Sequence, residues 1–421
     1  MSSRKTIIVL STCMAIQMTS FVMILPLFAR RFSEFGAGVE ALGISAMAYA
    51  LASTLAAPFM GTLADRLGRR PLVLVSLAAY TLAFCGYLLA STATAFIVLR
   101  GFAGAFTAGL IPAITGLAAD LAPKDRQAQW IGFINGGASI GWIAGPIMGG
   151  MIFDRWGYNA ALIISITMAI ITFIVALLSI PESRLVTMHS ISLPEENTKY
   201  NLPKSIKFGL LNFRSTLPQH LSTFFVLLLI CFAVLFAWAF IESRFMFYAY
   251  NDLGWSSSML GWMMSTYGIA LMLGEFGLGR LSDRHGRKPI IIIGLLLFSA
   301  QFIGLAFFKN HILIAVTFVI AGLGNGLYDP AVNASILDIS PEGHRARILG
   351  IKGMLGSAGS ILGPALLTLL NSSLNARGIF LIAVGIALLT ALTGSTCLKE
   401  RSPKGDPSWM PGQERKPSSI C

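Results

Sequence analysis

Two segments of the sequence combine glycine, proline and charged residues at matching positions. They read GTLADRLGRRP at residues 61–71 and GRLSDRHGRKP at residues 279–289, and seven of the eleven positions are identical. In each segment an Asp follows the first Gly by four residues, and an Arg follows that Asp by four. The Gly lets another helix approach closely, and the Asp can face a helix N-terminus or a basic partner. The residues with these positions are Gly61, Asp65, Arg69, Gly279, Asp283 and Arg287.

Two further acidic residues stand within long apolar stretches, where a charge is costly and therefore a functional candidate. Asp329 could bind a proton, pair with a cationic molecule, or join a structural network with Lys352. Glu242 could contact a cavity, or it could form a pair near the membrane surface with Arg244. The sequence alone leaves these alternatives open.

The apolar stretches around these residues predict an all-α integral membrane protein. Of the 421 residues, 55% are hydrophobic and only 12% are charged, against roughly 25% charged in soluble proteins. Stretches of about 20 apolar residues, enough to cross a bilayer, recur along the chain. We predict twelve spans, at 6–28, 41–60, 72–92, 94–119, 128–150, 159–180, 221–243, 256–278, 290–308, 312–337, 348–371 and 377–398.

The net charge of +12 is explained by membrane topology and not by nucleic-acid binding. With the N-terminus inside, most of the 31 Lys and Arg flank cytoplasmic segments, as the positive-inside rule requires. We therefore expect a multi-pass protein of the cell (inner) membrane with both termini in the cytoplasm. The five Cys are scattered without metal-ligand spacing, so we expect no metal and no cofactor.

The sequence contains an internal repeat with a constant offset of 218, the difference between Gly61 and Gly279. Each repeat unit holds six spans, so we divide the chain into halves at 1–180 and 220–398, related by an axis along the membrane normal. A polar linker with several Pro residues at 181–219 separates them, and we expect the tail at 399–421 to be disordered.

The repeat also places one acid at the end of the fourth span of each half, Asp120 and Asp338. Each could pair with the Arg of its own loop, Arg69 or Arg287. Such a cluster could hold the cytoplasmic side shut and break when the halves rock apart. The alternative is that these are solvated charges that only retain topology.

Span five carries small residues at four-residue spacing in GGASIGWIAGPIMGG, residues 136–150. The spacing favours close packing against another helix, and Pro146 can kink the span. Close packing alone would also explain the pattern. The residues concerned are Gly141, Gly145, Pro146, Gly149 and Gly150.

At these motifs the chain resembles the major facilitator superfamily. The resemblance implies a twelve-helix fold with a central cavity between two domains, working by alternating access. It also implies that Asp65 docks on span eleven and forms a charge relay with Arg69 and Asp120. In that family GxxxGPxxGG, here residues 141–150, marks proton antiporters, and an RxxxG element, here beginning at Arg100, is implicated in proton transfer. Arg100 could instead extend to the outer surface.

From these features we expect no enzyme but a transporter, a monomer in its bilayer, that exports small amphipathic or drug-like molecules in exchange for protons. The alternative is a facilitator or proton symporter that imports a sugar or an organic anion. A membrane sensor or lipid enzyme is disfavoured because the sequence contains no catalytic grouping.

Overall fold

The computed structural model describes residues 3–123, 126–180, 220–278, 281–282, 285–341 and 345–398. These residues form helices and the turns between them, with no strand in the ranges given. The predicted linker at 181–219 and tail at 399–421 lie outside this part of the chain, as do Gly279 and Asp283. The side chain of Asp65 is also outside the description.

The helices follow the twelve predicted spans in order. Span one comprises Ser3–Ile24, a 3-10 turn at Leu25–Leu27 and Phe28–Glu34; span two is Val39–Leu67; span three is Arg69–Leu89; span four comprises Ala93–Thr107 and Leu110–Leu121; the helix Gln127–Ser179 contains spans five and six. Span seven is Leu221–Phe247 with a π turn at Tyr248–Asp252; span eight is Ser257–Leu273 with a π segment at Gly274–Leu278; spans nine to twelve are Arg287–Phe307, His311–Ile339, Arg345–Leu370 and Ala376–Cys397.

Ten helical segments among the described residues are long and apolar enough to cross a membrane. One of them has 51 residues, about 75 Å at 1.5 Å per residue, which is more than twice the roughly 30 Å of a hydrocarbon core. Its backbone breaks at Gly157, where φ is 79° and ψ is −178°, so it supplies spans five and six. Span eight is the twelfth crossing.

Several helices begin or end beyond the predicted boundaries. Arg69 and Arg287 are the first residues of spans three and nine and are not loop residues as predicted. Each follows a single glycine, Gly68 or Gly286, with φ of 95° or 89°. These left-handed values favour Gly, which explains the second glycine of both motifs. Hydropathy detects only the apolar part of a helix, so the polar turns at its ends are missed.

The 218-residue offset reappears in the packing. In the first half the hydroxyl of Tyr49 lies 3.3 Å from that of Thr107, joining spans two and four. At the equivalent positions of the second half, Asn325 donates to the hydroxyl of Tyr267 over 2.7 Å, joining spans eight and ten. The two halves thus place hydrogen-bonding groups at matched positions.

In the described part of the chain, the halves pack together at one side of the bundle. We call the side where spans two, four and six end the linker side, and the other the far side. At the far side span two packs on span eleven, where Gly43 faces Pro364, and span eight packs on span five, where Gly261 faces the carbonyl of Pro146. At the linker side a β-carbon added to Gly61 or to Gly350 would have no atom of another helix within 4 Å among the described residues. The central cleft is therefore open toward the linker side.

Candidate functional site

Arg100 is buried in span four and its guanidinium is only partly satisfied. The side chain is 6% exposed, and the guanidinium carbon lies 4.4 Å from the ring centre of Tyr49 and 5.1 Å from that of Phe28. Its Nε and Nη1 atoms have no hydrogen-bond partner among the described residues. The structure thus places Arg100 inside the bundle and not at the outer surface, the alternative that its sequence position had left open. Burying a cation whose donors lack partners is costly, so the site is prepared for an acceptor.

Glu242 of span seven supplies a carboxyl group beside Arg100. Both residues line one cavity of about 40 Å³ between the halves, together with Leu25, Phe28, Leu42, Ser45, Ala46, Ser243 and Met246. No ion pair joins Glu242 to Arg100 in the described structure, so the two side chains are related by the cavity that they share. No ion pair joins Glu242 to Arg244 in the described chain, and the Nε atom of Arg244 is buried without a partner there. Of the two sequence-based alternatives for Glu242, the geometry matches contact with a cavity.

Asp329 of span ten belongs to a polar network in the second half. Lys352 of span eleven lies 3.0 Å from Oδ1 of Asp329 and donates over 2.5 Å to Oδ1 of Asn333, and Asn333 donates to Oδ2 of Asp329 over 3.0 Å. The Asp329 side chain is 41% exposed, so it also borders open space. The structure therefore places Asp329 in the network with Lys352, one of the three roles that the sequence allowed.

The charge pairs of the duplicated motif lie within each half. Arg69 is 2.7 Å from Asp120, and Arg287 is 2.6 Å from Asp338. Arg69 also donates to the carbonyl oxygen of Gly116. Each pair fixes the start of one span to the end of another in the same half, while the linker side is open. A role of these pairs in closing that side stays a prediction.

The glycines of span five pack on two different neighbours. A β-carbon on Gly141 would lie 2.5 Å from Cβ of Met18 in span one, and one on Gly149 would overlap the carbonyl oxygen of Met23. Gly145 faces the same span. Gly150 instead meets the carbonyl oxygen of Ser257 in span eight, across the boundary between the halves. One sequence motif thus packs span five both inside its own half and against the other.

Two further groups of contacts close the far side. Arg30 donates to the carbonyl oxygen of Trp255 over 3.1 Å and stacks 4.0 Å above the ring centre of Tyr250. Tyr250 in turn donates to the carbonyl oxygen of Pro26 over 3.0 Å. Because all these bonds join the two halves, they hold the far end of the cleft shut.

Asp154, between spans five and six, binds the first turn of span eight. Its two carboxylate oxygens accept from the backbone amides of Ser257 and Ser258 over 3.0 and 2.8 Å. Also at the far side, but between spans two and eleven, Asn371 donates to Glu40 over 2.5 Å. No sequence motif marks Asp154; the available signal is an acid near a span end opposite a Ser-rich helix start, since such acids bind helix N-termini.

The charged residues form no metal centre in the portion of the chain covered by the structure, which contains no group of three His, Cys, Asp or Glu side chains able to hold an ion. The cleft is thus lined by ionisable groups and aromatic rings.

Comparison with known proteins agrees with this geometry. The sequence profile described as Major Facilitator Superfamily matches residues 7–250 and 223–419. A multi-drug resistance efflux pump PmrA homolog of Lactococcus lactis is 28% identical over 342 residues, which cover 81% of each chain. The class B tetracycline resistance protein of Escherichia coli is 25% identical over 393 residues, covering 92% of this chain and 93% of that protein.

Solved structures give the same fold. The nucleoside transporter NupG aligns with a TM-score of 0.72 at 14% identity, covering 94% of this chain and all of that one. A D-xylose-proton symporter aligns with a TM-score of 0.72 at 15% identity, covering 96% of this chain and all of that one. At such identities the likeness concerns the fold alone. The family match over both halves, the twelve helical crossings and this fold together establish that the chain belongs to the major facilitator superfamily and is a multi-pass membrane transporter.

Proposed function

We propose that this transporter exports small amphipathic or drug-like molecules in exchange for protons, by alternating access. The efflux and resistance proteins among its relatives support export. The positive-inside distribution of Lys and Arg supports a cell (inner) membrane location with the linker side in the cytoplasm. In that orientation the present conformation, open at the linker side, is the one that would take up a solute from the cytoplasm.

The observation that carries the proton coupling is the cavity shared by Arg100 and Glu242. Span four belongs to one half and span seven to the other, so movement of the halves changes the distance between these charges. Glu242 is the proton-binding group in our proposal: its ionised form is stabilised beside Arg100, and separation of the halves removes that stabilisation. Proton binding is thereby linked to the conformational change.

Inverted membrane vesicles with an acidic lumen test this proposal. For the wild-type protein, adding tetracycline or ethidium should release protons from the lumen, seen as recovery of a quenched acridine dye. Glu242→Gln and Arg100→Ala should each lower this signal at least about tenfold, the loss that about 1.4 kcal/mol of coupling implies. Glu34→Gln is the matched control, because Glu34 pairs with Arg31 at the protein surface and lies outside the cavity.

The same vesicles separate export from the alternative of import. A symporter would move protons in the same direction as the solute, and a facilitator would leave the pH signal unchanged. Unaltered signals in both cavity variants would refute the assignment of Glu242 and Arg100. A wild-type protein that moves no protons with any of a broad panel of amphipathic solutes would refute the antiport itself.

A further inference from the structure

The cavity between spans two, four and seven contains buried hydrogen-bond donors that have no partner in the described structure. Nε and Nη1 of Arg100 are buried without partners among the described residues, and so is the hydroxyl of Ser45, a residue with 0% exposure. All three atoms belong to residues lining the same cavity. The convergence of unsatisfied donors on one space indicates a missing acceptor.

The size and charge of the cavity limit what that acceptor can be. Its volume of about 40 Å³ has room for only two or three water-sized groups, since a single water needs roughly 10–15 Å³. The guanidinium of Arg100 is a cation. Glu242 is the acidic residue lining the cavity within the described chain. When Glu242 takes up a proton, the buried cation loses its counter-charge.

The other groups facing this pair do not replace that charge. Tyr49 of span two and Tyr87 of span three face Arg100, but a phenol is neutral near pH 7. Arg244, on the same span as Glu242, is itself a cation. Charge neutrality in the buried site therefore requires either the Glu242 carboxylate or another anion.

We infer that this cavity is a binding site for one small monovalent anion, a halide or a carboxylate group, held by Arg100 and Ser45 when Glu242 is protonated. The anion and the ionised Glu242 compete for the same cation. Binding of the anion is consequently accompanied by uptake of a proton at Glu242. This inference rests on Glu242 being the proton-binding residue of the proposed function.

The linkage predicts a characteristic pH dependence. In the range where Glu242 is ionised in the free protein, the apparent affinity for the anion should fall about tenfold for each unit of rising pH, because one proton enters with each anion. Glu242→Gln carries no ionisable group at this position, so its affinity should be independent of pH and should exceed that of the wild type at least about tenfold at pH 8.

The test uses the full-length purified protein in weakly buffered detergent solution. Potassium chloride, acetate or gluconate is added at constant ionic strength, proton uptake is followed with a pH dye, and chloride binding is followed by the line width of its nuclear magnetic resonance signal. Chloride should drive uptake of up to one proton per wild-type molecule. Glu242→Gln should bind chloride without proton uptake, and Ser45→Ala should weaken binding several-fold. Ser53→Ala, a hydroxyl deletion on the same span outside the cavity lining, is the control.

The acetate arm distinguishes the two sources of the anion. Proton uptake with chloride alone assigns the site to a free inorganic ion, whereas equal or stronger uptake with acetate at pH values above 6.5 assigns it to a small carboxylate. Gluconate is too large for the cavity and should be inert. Wild-type protein that is folded but shows neither proton uptake nor chloride binding between pH 5 and 8 overturns the inference, as does Glu242→Gln that binds no chloride.

This outcome is separable from that of the vesicle experiment. Vesicles prepared in gluconate report proton exchange with the solute in the absence of a small anion. If the protein exchanges protons for the solute but neither binds chloride nor takes up protons with it, the anion site alone is overturned. If it responds to chloride but exchanges no protons for the solute, the proposed function alone is overturned.

Discussion

At the scale of residues, the ionisable groups in the cleft differ in the partners that they contact. Asp329 has Lys352 and Asn333 as partners, and each member of this network makes bonds to the other two. Arg100, by contrast, has aromatic faces and unsatisfied nitrogens. The two halves thus present different surfaces to a solute: a neutralised polar network on one side and an incompletely satisfied cation on the other.

Removing Lys352 should therefore harm the protein through Asp329. We expect Lys352→Met to lower the free energy of unfolding by about 1 kcal/mol, a modest value because the Asp329 side chain is 41% exposed. Asp329→Asn combined with Lys352→Met should recover most of that loss, since no unpaired charge remains. Thermal unfolding of the four proteins of this double-mutant cycle measures the coupling.

The control for this cycle is Lys309→Met, which removes an exposed Lys at the end of span nine and should have no effect. Strictly additive effects of the two network substitutions would contradict the network and leave Asp329 as an independent carboxylate.

At the scale of elements, span five is packed closely against helices of both halves. Four of its glycines, at 137, 141, 145 and 149, allow span one to approach within its own half, and Gly150 allows span eight of the other half to approach. The stripe at four-residue spacing predicted close packing, and the structure shows which helices approach.

Gly149→Ala should accordingly be destabilising, because the added β-carbon would overlap the backbone oxygen of Met23, which cannot move aside like a side chain. A loss of about 1–3 kcal/mol is expected, as for overpacked interiors. Gly136→Ala in the same span is the matched control, since a β-carbon there has no atom of another helix within 4 Å in the described structure. Melting temperatures of the purified variants check the difference; equal values would show that the close approach of spans one and five is not needed.

The sequence predicted the elements more completely than the site. Hydropathy located all twelve crossings, and the 218-residue offset matched pairs such as Tyr49 and Tyr267 that occupy equivalent positions in the fold. Nothing in the sequence joined Arg100 to Glu242, because they belong to different halves and each lacks a charged counterpart in the repeat. Proximity between halves is created by tertiary packing, which a single sequence does not encode as a periodic pattern.

At the scale of the whole molecule, hydrogen bonds between the halves are concentrated at the far side. In the described chain, five residues of the first half make these bonds: Pro26, Arg30, Glu40, Ile143 and Asp154. A transporter that alternates between two openings must break this set while forming another at the linker side. In the proposed alternating-access cycle, the strength of the far-side set would set the population of the present conformation.

Weakening one of these contacts should shift that population. Asp154→Asn removes the negative charge at the start of span eight, and a loss of about 1 kcal/mol would raise the population of far-side-open molecules about fivefold. Ser265→Cys in a background without the native Cys reports the change, because Ser265 has 0% exposure and bonds to Ile143 across the halves. A membrane-impermeant maleimide added to intact cells should label it correspondingly faster.

Asp252→Asn is the control, since Asp252 is an exposed acid at the end of span seven on the same side. Identical labelling rates for Asp154→Asn and Asp252→Asn would show that the contact between Asp154 and span eight does not hold the far side closed.

The two far-side seams differ in strength, although the repeat makes them equivalent in position. Along spans five and eight, Gly150 and Gly261 meet backbone oxygens too closely to accept a β-carbon, and Asp154 adds two bonds. Along spans two and eleven, a β-carbon on Gly43 would stand at an ordinary 3.6 Å from Thr368, and Asn371 makes a single bond to Glu40. Two bodies that are held more tightly along one contact than along another rotate about the tighter contact when they separate. The halves would then part first between spans two and eleven and turn about the seam of spans five and eight, so a solute would leave by an asymmetric, wedge-shaped exit.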